Sequence, residues 1–172
     1  MTPALTFTKA TNRDPGAVHT ILSACFAEIL DASLERNLRQ FDRDVFANPD
    51  TVGACTLITS VTGRTVGLLS YDPRPGPQFG LIGYHGVLPP FRRQGYGRRQ
   101  IDEMIRMLTA RRFEAVRVTT SLHPFFEPAR RLYEACGFHE IQRTLSSAEH
   151  NHPLVVYNIN LPRETQGSTR HQ

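Results

Sequence analysis

Residues 87–97 read Val87-Leu88-Pro89-Pro90-Phe91-Arg92-Arg93-Gln94-Gly95-Tyr96-Gly97 and lie between a strand-like run and a segment with helical periodicity. Gly95 and Gly97 leave room for an anion to approach the backbone where that helix should begin. The unpaired amides of a helix's first turn point toward such an anion, and the helix dipole attracts it. The stretch therefore predicts a pyrophosphate-binding turn, although glycines before a helix are, taken alone, also typical of a simple connecting turn.

Four arginines surround this turn, namely Arg92, Arg93, Arg98 and Arg99. A guanidinium group can bind phosphate oxygens in a bidentate manner, so these charges favour a phosphorylated ligand. Two common nucleotide motifs are excluded, because no Gly-Lys-Ser/Thr follows the turn and the three-glycine spacing of dinucleotide-binding folds is missing. Nineteen of the twenty basic residues in the chain are arginine, a bias more typical of genomic base composition than of mechanism.

Hydrophobic periodicity predicts a mixed α/β chain around the turn. Apolar residues at helical spacing indicate helices, and β-branched runs bounded by glycine or proline indicate strands. The predicted strands cover residues 5–10, 53–61, 64–71, 79–88, 115–121, 138–145 and 154–161, and the predicted helices cover 14–30, 34–46, 98–111 and 128–136. Gly80, Gly83 and Gly86 fall inside one strand, which should therefore bend, bulge or admit a close neighbour to its backbone.

Two motifs in this order resemble those of the GNAT superfamily of acyl-CoA-dependent N-acyltransferases. Arg92, Gly95 and Gly97 match its Arg/Gln-x-x-Gly-x-Gly/Ala signature, and Val87 and Pro89 match the preceding Val-x-Pro. The second signature, Ala-x-x-Leu-Tyr-x-x-x-Gly-Phe, is matched by Ala129, Leu132, Tyr133, Gly137 and Phe138. The resemblance implies an α/β (α+β) fold: a mixed, mostly antiparallel sheet of six to seven strands, flanked by about four helices and splayed into a V between the fourth and fifth strands.

The resemblance also implies that acetyl-CoA is the cosubstrate, with its pantetheine arm lying in the V beside the backbone of residues 87–89. The amides of residues 94–99 would hold the pyrophosphate. The backbone N–H of Leu88 would donate to the thioester carbonyl, where negative charge develops during attack. The residues expected to contact the cofactor are Val87, Leu88, Pro89, Arg92, Arg93, Gln94, Gly95, Tyr96, Gly97, Arg98, Arg99, Phe126 and Tyr133.

The same resemblance implies that Tyr133 is the general acid that protonates the departing CoA thiolate. The alternative is a core tyrosine that packs beside Leu132. Many relatives carry an asparagine seven residues before this tyrosine, where this chain has Phe126. A polar contact to pantetheine is therefore lost or replaced by packing.

The general base does not follow from the resemblance. Relatives often place a glutamate or a histidine on the fourth strand, at positions where this chain has Gly83 and Leu81. His85 lies on the same face of that strand, because side chains two residues apart point alike. Its imidazole could accept the amine proton directly or through water, could orient the acyl group, or could only satisfy a buried hydrogen bond.

Other polar residues near the predicted pocket carry less weight. Glu28, Asp31 and Glu35 fall where the family forms its acceptor pocket, but charged residues there are more typical of a solvated face. His123 could line the pocket or pack within its loop. None of these four residues is assigned a catalytic role.

The cysteines and the remaining histidines indicate neither a disulfide framework nor a metal site. Cys25, Cys55 and Cys136 are odd in number and widely spaced, so we interpret them as reduced thiols of a cytoplasmic protein. Cys136 should be a core residue rather than a nucleophile. His150 and His152 lack a third ligand at a suitable spacing, and we predict no metal.

The 172 residues, 40% of them hydrophobic and 21% charged, fit one compact domain over residues 1–162. A polar tail over residues 163–172 should be disordered. No run approaches the roughly 18 apolar residues that span a bilayer, and the first residues lack a signal-peptide pattern, so we expect neither membrane insertion nor secretion. The net charge of +4 is small, and the basic residues gather at the turn rather than along a stripe, which disfavours nucleic-acid binding.

Together these observations predict a cytoplasmic N-acetyltransferase that transfers an acetyl group from acetyl-CoA to a primary amine by direct attack in a ternary complex. The alternative is a non-catalytic acyl-CoA sensor, which the missing base and Phe126 favour. The acceptor is not specified, although residues 14–46, residues 72–78 and the final hairpin should form its pocket. A homodimer is the prior expectation for the oligomeric state.

Overall fold

The fold is described from a computed structural model of the chain, which covers residues 3–145 and 151–163. Seven strands and four α-helices follow one another along these residues. The strands are β1 Leu5–Lys9, β2 Thr56–Val61, β3 Arg64–Asp72, β4 Gly80–Val87, β5 Ala115–Ser121, β6 His139–Arg143 and β7 Leu154–Asn160. The helices are α1 Ala17–Cys25, α2 Ala32–Ala47, α3 Tyr96–Ala110 and α4 Glu127–Ala135. The predicted order of elements is confirmed.

All seven strands form one sheet in the order β1-β2-β3-β4-β5-β7-β6. Every neighbouring pair is antiparallel except β4 and β5, which are parallel. The β4–β5 ladder holds Gly80 against Val116, Leu81 against Arg117 and Ile82 against Val118. Beyond Ile82 the ladder ends, and the rest of β4 faces an open gap. The predicted fold class, including the V between the fourth and fifth strands, is confirmed.

The three glycines of β4 each lie against a neighbour that a side chain would strike. A Cβ atom at Gly80 would stand 2.6 Å from Leu108 on α3, and one at Gly86 would stand 2.9 Å from the sulfur of Cys25 on α1. At Gly83 it would stand 2.7 Å from the hydroxyl of Ser70 on β3. The β3–β4 register shifts near this point, which confirms the expected irregularity. The close neighbours at all three positions explain why β4 needs small residues there.

The helices cover the two faces of the sheet with separate apolar clusters. On one face α3 contributes Ile101, Met104 and Leu108, all fully buried, to a cluster shared with α4 and β5. On the other face α1 and α2 pack through residues such as Leu22 and Leu38. Burial of these helical stripes on the sheet is the main source of stability for such a layered fold.

A buried carboxylate joins the two helices of the second face. Asp42 on α2 accepts hydrogen bonds from the backbone N–H of Gly16 at 2.9 Å and of His19 at 3.0 Å. Helix α1 has no side-chain cap of its own, so Asp42 supplies the acceptor that its first turn needs.

The element boundaries differ from the sequence prediction at several places. Residues 53–55 form a 3₁₀ turn instead of the start of β2. Gly53 lies so close to α2 that a Cβ there would stand 2.7 Å from the carbonyl oxygen of Val45. Helix α1 ends at Cys25, and the chain reaches α2 through a 3₁₀ turn over Ala27–Ile29. Helix α2 begins at Ala32, since Asp31 caps it by accepting from the N–H of Leu34 at 2.7 Å.

Some predictions fall outside the described residues. The polar tail beyond residue 163 and His150 lie there, so the structure does not bear on either. Among residues 3–145 and 151–163, none of the helices has the length and apolar character required to cross a lipid bilayer.

Candidate active site

A cleft of about 1920 Å³ opens where β4 and β5 diverge. It runs from the start of α3, through the V, to the aromatic side chains between α1, α2 and β4. The sequence brings these elements together because the parallel β4–β5 ladder is short and the strands separate after Ile82. Crevices at such a point of a sheet are common ligand sites.

The first part of the cleft is an anion-binding turn, which we define as residues 92–98. Helix α3 begins at Tyr96, and Gly95 precedes it with a φ of 82°. The helical hydrogen-bond ladder starts at Arg99, whose N–H donates to the Gly95 carbonyl at 3.2 Å. The amides of residues 95–98 therefore precede the ladder and point out of the helix end, where they can receive an anion.

The two glycines of the anion-binding turn serve different purposes. Nothing lies within 4 Å of the position of a Cβ on Gly95, so space does not dictate this glycine. Its left-handed backbone does, because L side chains are strained there. A Cβ on Gly97 would instead stand 3.0 Å from Leu132 on α4, so Gly97 also allows α3 and α4 to approach each other.

The side chains of two of the predicted cofactor contacts, Arg92 and Arg99, have partners within the protein itself. The Arg92 guanidinium donates from Nε to the Val87 carbonyl at 3.2 Å and from Nη2 to the Cys25 carbonyl at 2.7 Å. It therefore fastens the turn to β4 and to the carboxyl end of α1, where the helix dipole favours a cation. Arg99 donates to the Pro3 carbonyl at 3.0 Å and lies over the ring of Tyr96, and it is not among the residues that line the cleft.

The remaining residues of the turn keep their polar groups near the cleft mouth. Arg93 and Arg98 are exposed and line the cleft. Arg98 also approaches the Ala135 carbonyl at 3.4 Å. Gln94 donates to the Pro90 carbonyl at 3.1 Å, which closes the loop that starts at Pro89. Side-chain charge for a phosphate ligand is thus concentrated on Arg93 and Arg98.

The backbone of β4 corrects the predicted thioester donor. The N–H of Leu88 donates to the Val66 carbonyl of β3 at 2.8 Å and is not free. In an antiparallel pair successive residues direct their N–H and C=O groups to opposite sides. The backbone groups of Val87 and His85 therefore face the open edge of the V, which fits the Val87 carbonyl being bound by Arg92 rather than by β3. The Leu88 N–H is thus already used within the sheet and cannot be the predicted donor to the thioester.

Inside the V lies a polar trio, which we define as the half-buried His85 and the buried Gln100 and Tyr133. Tyr133 is 4% exposed and Gln100 is fully buried. Tyr133 Oη and His85 Nδ1 are 3.2 Å apart, and His85 Nε2 and Gln100 Oε1 are 2.9 Å apart. Three elements, β4, α3 and α4, thus each contribute one side chain to a continuous hydrogen-bonded line.

Burial favours the uncharged forms of the two titratable members of the trio, His85 and Tyr133. Loss of solvent lowers the pKa of His85 to about 4, and the hydrogen bond to Gln100 opposes this shift only in part. Burial also raises the pKa of Tyr133 above its ordinary value, and Cys136 adds to that effect. At neutral pH the imidazole and the phenol are therefore both neutral.

Gln100 is the site residue that sequence analysis missed. Its signal was present, because residues 100, 104 and 108 share one face of α3 and the other two are Met104 and Leu108. A glutamine on an apolar helix face indicates a buried polar partner. That partner is His85, which sequence analysis had left without an assigned neighbour.

Aromatic rings line the opposite side of the cleft. Phe41 and Tyr84 lie 4.8 Å apart between ring centroids, and Phe26 contacts Tyr84 at 6.2 Å. Phe26 also contacts Phe125 at 6.1 Å and Phe126 at 6.3 Å. Because Phe26 follows α1 and Phe126 follows β5, these rings connect the two sides of the V. Phe126 packs against aromatic neighbours at the position where relatives carry asparagine.

The other polar candidates have structural partners. Glu28 lies 3.7 Å from Arg92, and Asp31 caps α2. Glu35 is 2.9 Å from His19 and 2.7 Å from Arg39. His123 accepts from the N–H of Phe125 at 3.0 Å.

The histidines and cysteines add no further chemistry to the site. The rings of His123 and His152 are 4.7 Å apart. Within the part of the chain that the structure describes, no three His, Cys, Asp or Glu side chains gather as a metal site. Burial raises the pKa of Cys25 to about 12 and raises that of Cys136 as well. Both are therefore thiols at neutral pH rather than thiolates.

A splayed mixed sheet with a glycine-rich helix start at the mouth of its V defines the GNAT acetyltransferase class of fold. The chain belongs to this family: the model of the "Acetyltransferase (GNAT) family" matches residues 17–138. No curated protein sequence matches it.

Solved structures with this fold cover nearly the whole chain. A GNAT-family protein from Desulfovibrio desulfuricans is 16% identical with a TM-score of 0.76, covering 91% of this chain and 99% of its own. The ribosomal-protein-S18-alanine N-acetyltransferase from Escherichia coli is 16% identical with a TM-score of 0.70, covering 95% and 98%. An aminoglycoside 6'-N-acetyltransferase complexed with coenzyme A is 14% identical with a TM-score of 0.68, covering 94% and 99%. At these identities the likeness shows the fold alone.

Proposed function

We propose that this protein is an N-acetyltransferase that transfers the acetyl group of acetyl-CoA to a primary amine by direct attack in a ternary complex. One observation carries the proposal: the anion-binding turn, the open backbone edge of β4 and the Tyr133 hydroxyl all line a single cleft. An acyl-CoA needs these three features, namely a pyrophosphate site, a partner for its amide-bearing arm and a proton donor near its sulfur. Two of the structures with this fold are N-acetyltransferases by name, and one holds coenzyme A.

The cofactor would bind along the cleft in a defined direction. The amides of residues 95–98 would hold the pyrophosphate, with Arg93 and Arg98 supplying positive charge. The pantetheine arm would lie in the V and use the free backbone groups of β4. The thioester would then stand beside Val87 and His85, deep enough to lie close to Tyr133.

The chemistry needs a donor for the thioester oxygen. The N–H groups of Val87 and His85 face the open edge of the V, as the alternation of β4 requires, and we assign the donor to one of them in place of Leu88. A fixed backbone dipole at this point stabilises the negative charge that develops as the amine attacks. Every substitution except one by proline leaves such a donor in place.

The bond changes follow from direct attack. The neutral amine forms a C–N bond with the thioester carbon, the C–S bond breaks, and Tyr133 gives its proton to the departing thiolate. A proton must also leave the attacking nitrogen. His85 is poorly placed to take it directly, because Gln100 lies at one ring nitrogen and Tyr133 at the other. Water, or His85 acting through Tyr133, remains as the acceptor.

A calorimetric titration of acetyl-CoA and CoA into the protein tests the first half of this proposal. Release of free thiol in the same sample, across a panel of protein N-termini, polyamines, aminoglycosides and small amines, tests the second half. Binding followed by thiol release on one amine class is the expected result. Failure to bind acetyl-CoA would overturn the proposal.

The second candidate is a non-catalytic acyl-CoA sensor. It is favoured by the β4 positions that carry Gly83 and Leu81 where relatives have a base, and by Phe126. Binding without thiol release on any amine of the panel would support this function instead.

A further inference from the structure

Gln100 occupies a position that helix α3 would normally fill with an apolar side chain. It is fully buried between α3 and the sheet. Its Nε2 donates to Thr59 Oγ1 at 2.9 Å, to the Gly86 carbonyl at 3.3 Å and to the Leu68 carbonyl at 3.5 Å. An unpartnered amide at this depth would be costly, so these contacts explain how the residue is tolerated.

The backbone around Gln100 is arranged to admit it. A Cβ atom on Gly67 would stand 3.0 Å from Gln100 Nε2 and 2.1 Å from the Gly86 carbonyl oxygen. Any other residue at position 67 would displace both groups. Gly67 on β3 thus leaves the space in which the amide reaches the strands.

The contacts of Gln100 determine which end of its amide faces His85. The two backbone carbonyls can only accept hydrogen bonds, so the NH₂ group must point to the strands. The oxygen Oε1 then faces His85 Nε2 at 2.9 Å, and Nε2 must carry the imidazole proton to donate to it. The other nitrogen, Nδ1, is left as an acceptor, and Tyr133 Oη donates to it at 3.2 Å.

We propose that Gln100 is a positioning residue of the acetyl transfer: it fixes the His85 proton on Nε2, so that Nδ1 and the Tyr133 hydroxyl exchange a proton as one unit. This inference rests on the proposed function. It assigns the missing base to a pair of residues instead of a carboxylate.

Over one turnover, the pair formed by His85 and Tyr133 gains and loses the same number of protons. As the C–N bond forms, the nitrogen proton passes to Tyr133 Oη while the hydroxyl proton of Tyr133 passes to His85 Nδ1. When the C–S bond breaks, the proton on Oη goes to sulfur and the proton on Nδ1 returns to Oη. One proton has moved from nitrogen to sulfur, and both residues end as they began. The low basicity that burial gives His85 favours the return step.

Nitrogen NMR of the imidazole rings tests the inference without any turnover. The two ring nitrogens differ in ¹⁵N shift according to which of them is protonated, and His85→Gln identifies the signals of His85. We expect Nε2 protonated and Nδ1 unprotonated in the protein as it is. In Gln100→Met, which keeps the length of the side chain and removes its polar group, we expect a mixture of the two tautomers. A proton on Nδ1 in the parent, or an unchanged tautomer in Gln100→Met, would overturn the inference.

Steady-state kinetics, with an amine on which the panel shows thiol release, provide the second measurement. Gln100→Met should lower kcat by about 30-fold with the KM for acetyl-CoA within about twofold, because the change affects proton transfer and not the anion-binding turn. Gln142→Met, at an exposed position on β6, is the matched control and should leave both constants unchanged. A parent-like kcat in folded Gln100→Met would contradict the inference.

A second variant keeps the test open if Gln100→Met does not fold. Thr59→Val removes one anchor of the Gln100 amide and leaves the trio itself intact, so a smaller tautomer shift and a kcat about threefold lower are expected. An unchanged tautomer and kcat would then count against Gln100. If the parent acetylates no amine, the proposed function fails while the ¹⁵N experiment still decides the position of the proton.

Discussion

The anion-binding turn and the polar trio occupy different parts of one cleft and are built in opposite ways. In the turn, the groups that face the ligand are backbone amides, and the side chains of Arg92 and Gln94 instead hold the loop to its own carbonyls. In the trio, the three members contact one another through their side chains. Binding should therefore tolerate changes of residue type that preserve backbone shape. Catalysis should respond to the loss of one atom.

Removing the Tyr133 hydroxyl gives the largest expected effect. Tyr133→Phe should lower kcat by about 10²- to 10⁴-fold, because it removes the donor to the thiolate. Calorimetric affinity for acetyl-CoA should stay unchanged, since the turn is untouched. Tyr71→Phe is a control that removes a hydroxyl bonded to Arg111 elsewhere in the cleft lining. Turnover of Tyr133→Phe within a few-fold of the parent would exclude Tyr133 from the mechanism.

Acidification through the titration range of His85 should lower the free energy of unfolding by about 3 kcal/mol. The pKa of His85 is lowered to about 4 in the folded protein, so between that value and its ordinary pKa near 6.5 the unfolded chain binds the extra proton. The free energy of unfolding should therefore fall as the pH drops through this window. Urea denaturation at several pH values measures the slope.

The contribution of His85 to that slope is isolated by substitution. His85→Gln should flatten the pH dependence, whereas His139→Gln, at an exposed position on β6, should leave it as in the parent. Equal slopes for the parent and His85→Gln would show that the trio is not sensitive to protonation.

A change of backbone shape in the turn should weaken binding more than it weakens the fold. Gly95→Val places a branched side chain on a left-handed backbone at the anion site and should lower acetyl-CoA affinity by about 30-fold, near 2 kcal/mol. Gly16→Val is the matched control, because Gly16 also has a positive φ with nothing within 4 Å but lies at the start of α1. Both variants should lose similar stability. If Gly16→Val weakened binding equally, the effect would not belong to the turn.

The smallest effect is expected for the clamp made by Arg92. Arg92→Lys keeps the charge but cannot reach the Val87 and Cys25 carbonyls together, so it should cost about 1 kcal/mol of stability. If Arg92 instead contacted the phosphate directly through its charge, Arg92→Lys should leave the stability unchanged. The lysine charge should then also retain the affinity for acetyl-CoA. Thermal unfolding and acetyl-CoA titration on the same variant separate the two roles.

The order of elements and the turn could be predicted from sequence because each depends on local signals, and the V followed from the resemblance to the GNAT superfamily. Glycine positions, helical spacing and the two family motifs are all readable within about 20 residues. The side of β4 to which the Leu88 N–H points could not be predicted. It depends on how the backbone of β4 alternates beyond an irregularity near Gly83. One residue of offset reverses which amides are free.

The partners of the polar side chains were also out of reach. Arg92 bonds to Cys25 and Arg99 to Pro3, residues far away in the chain. Nothing in the sequence near either arginine indicates these carbonyls. Gln100 did show itself as a polar residue on an apolar face, but its function depends on Thr59 and His85, which reach it only through the fold.

The short β4–β5 ladder has a consequence for how the molecule unfolds. The sheet consists of two halves, β1–β4 and β5–β7, joined directly by the pairs at Gly80, Leu81 and Ile82. A ligand in the V that binds to the free backbone groups of β4 would add hydrogen bonds where the two halves of the sheet meet. We expect amide hydrogen exchange in the two halves to proceed at separate rates in the free protein and to converge when acetyl-CoA is added, so that the cosubstrate acts as a removable strand of the sheet.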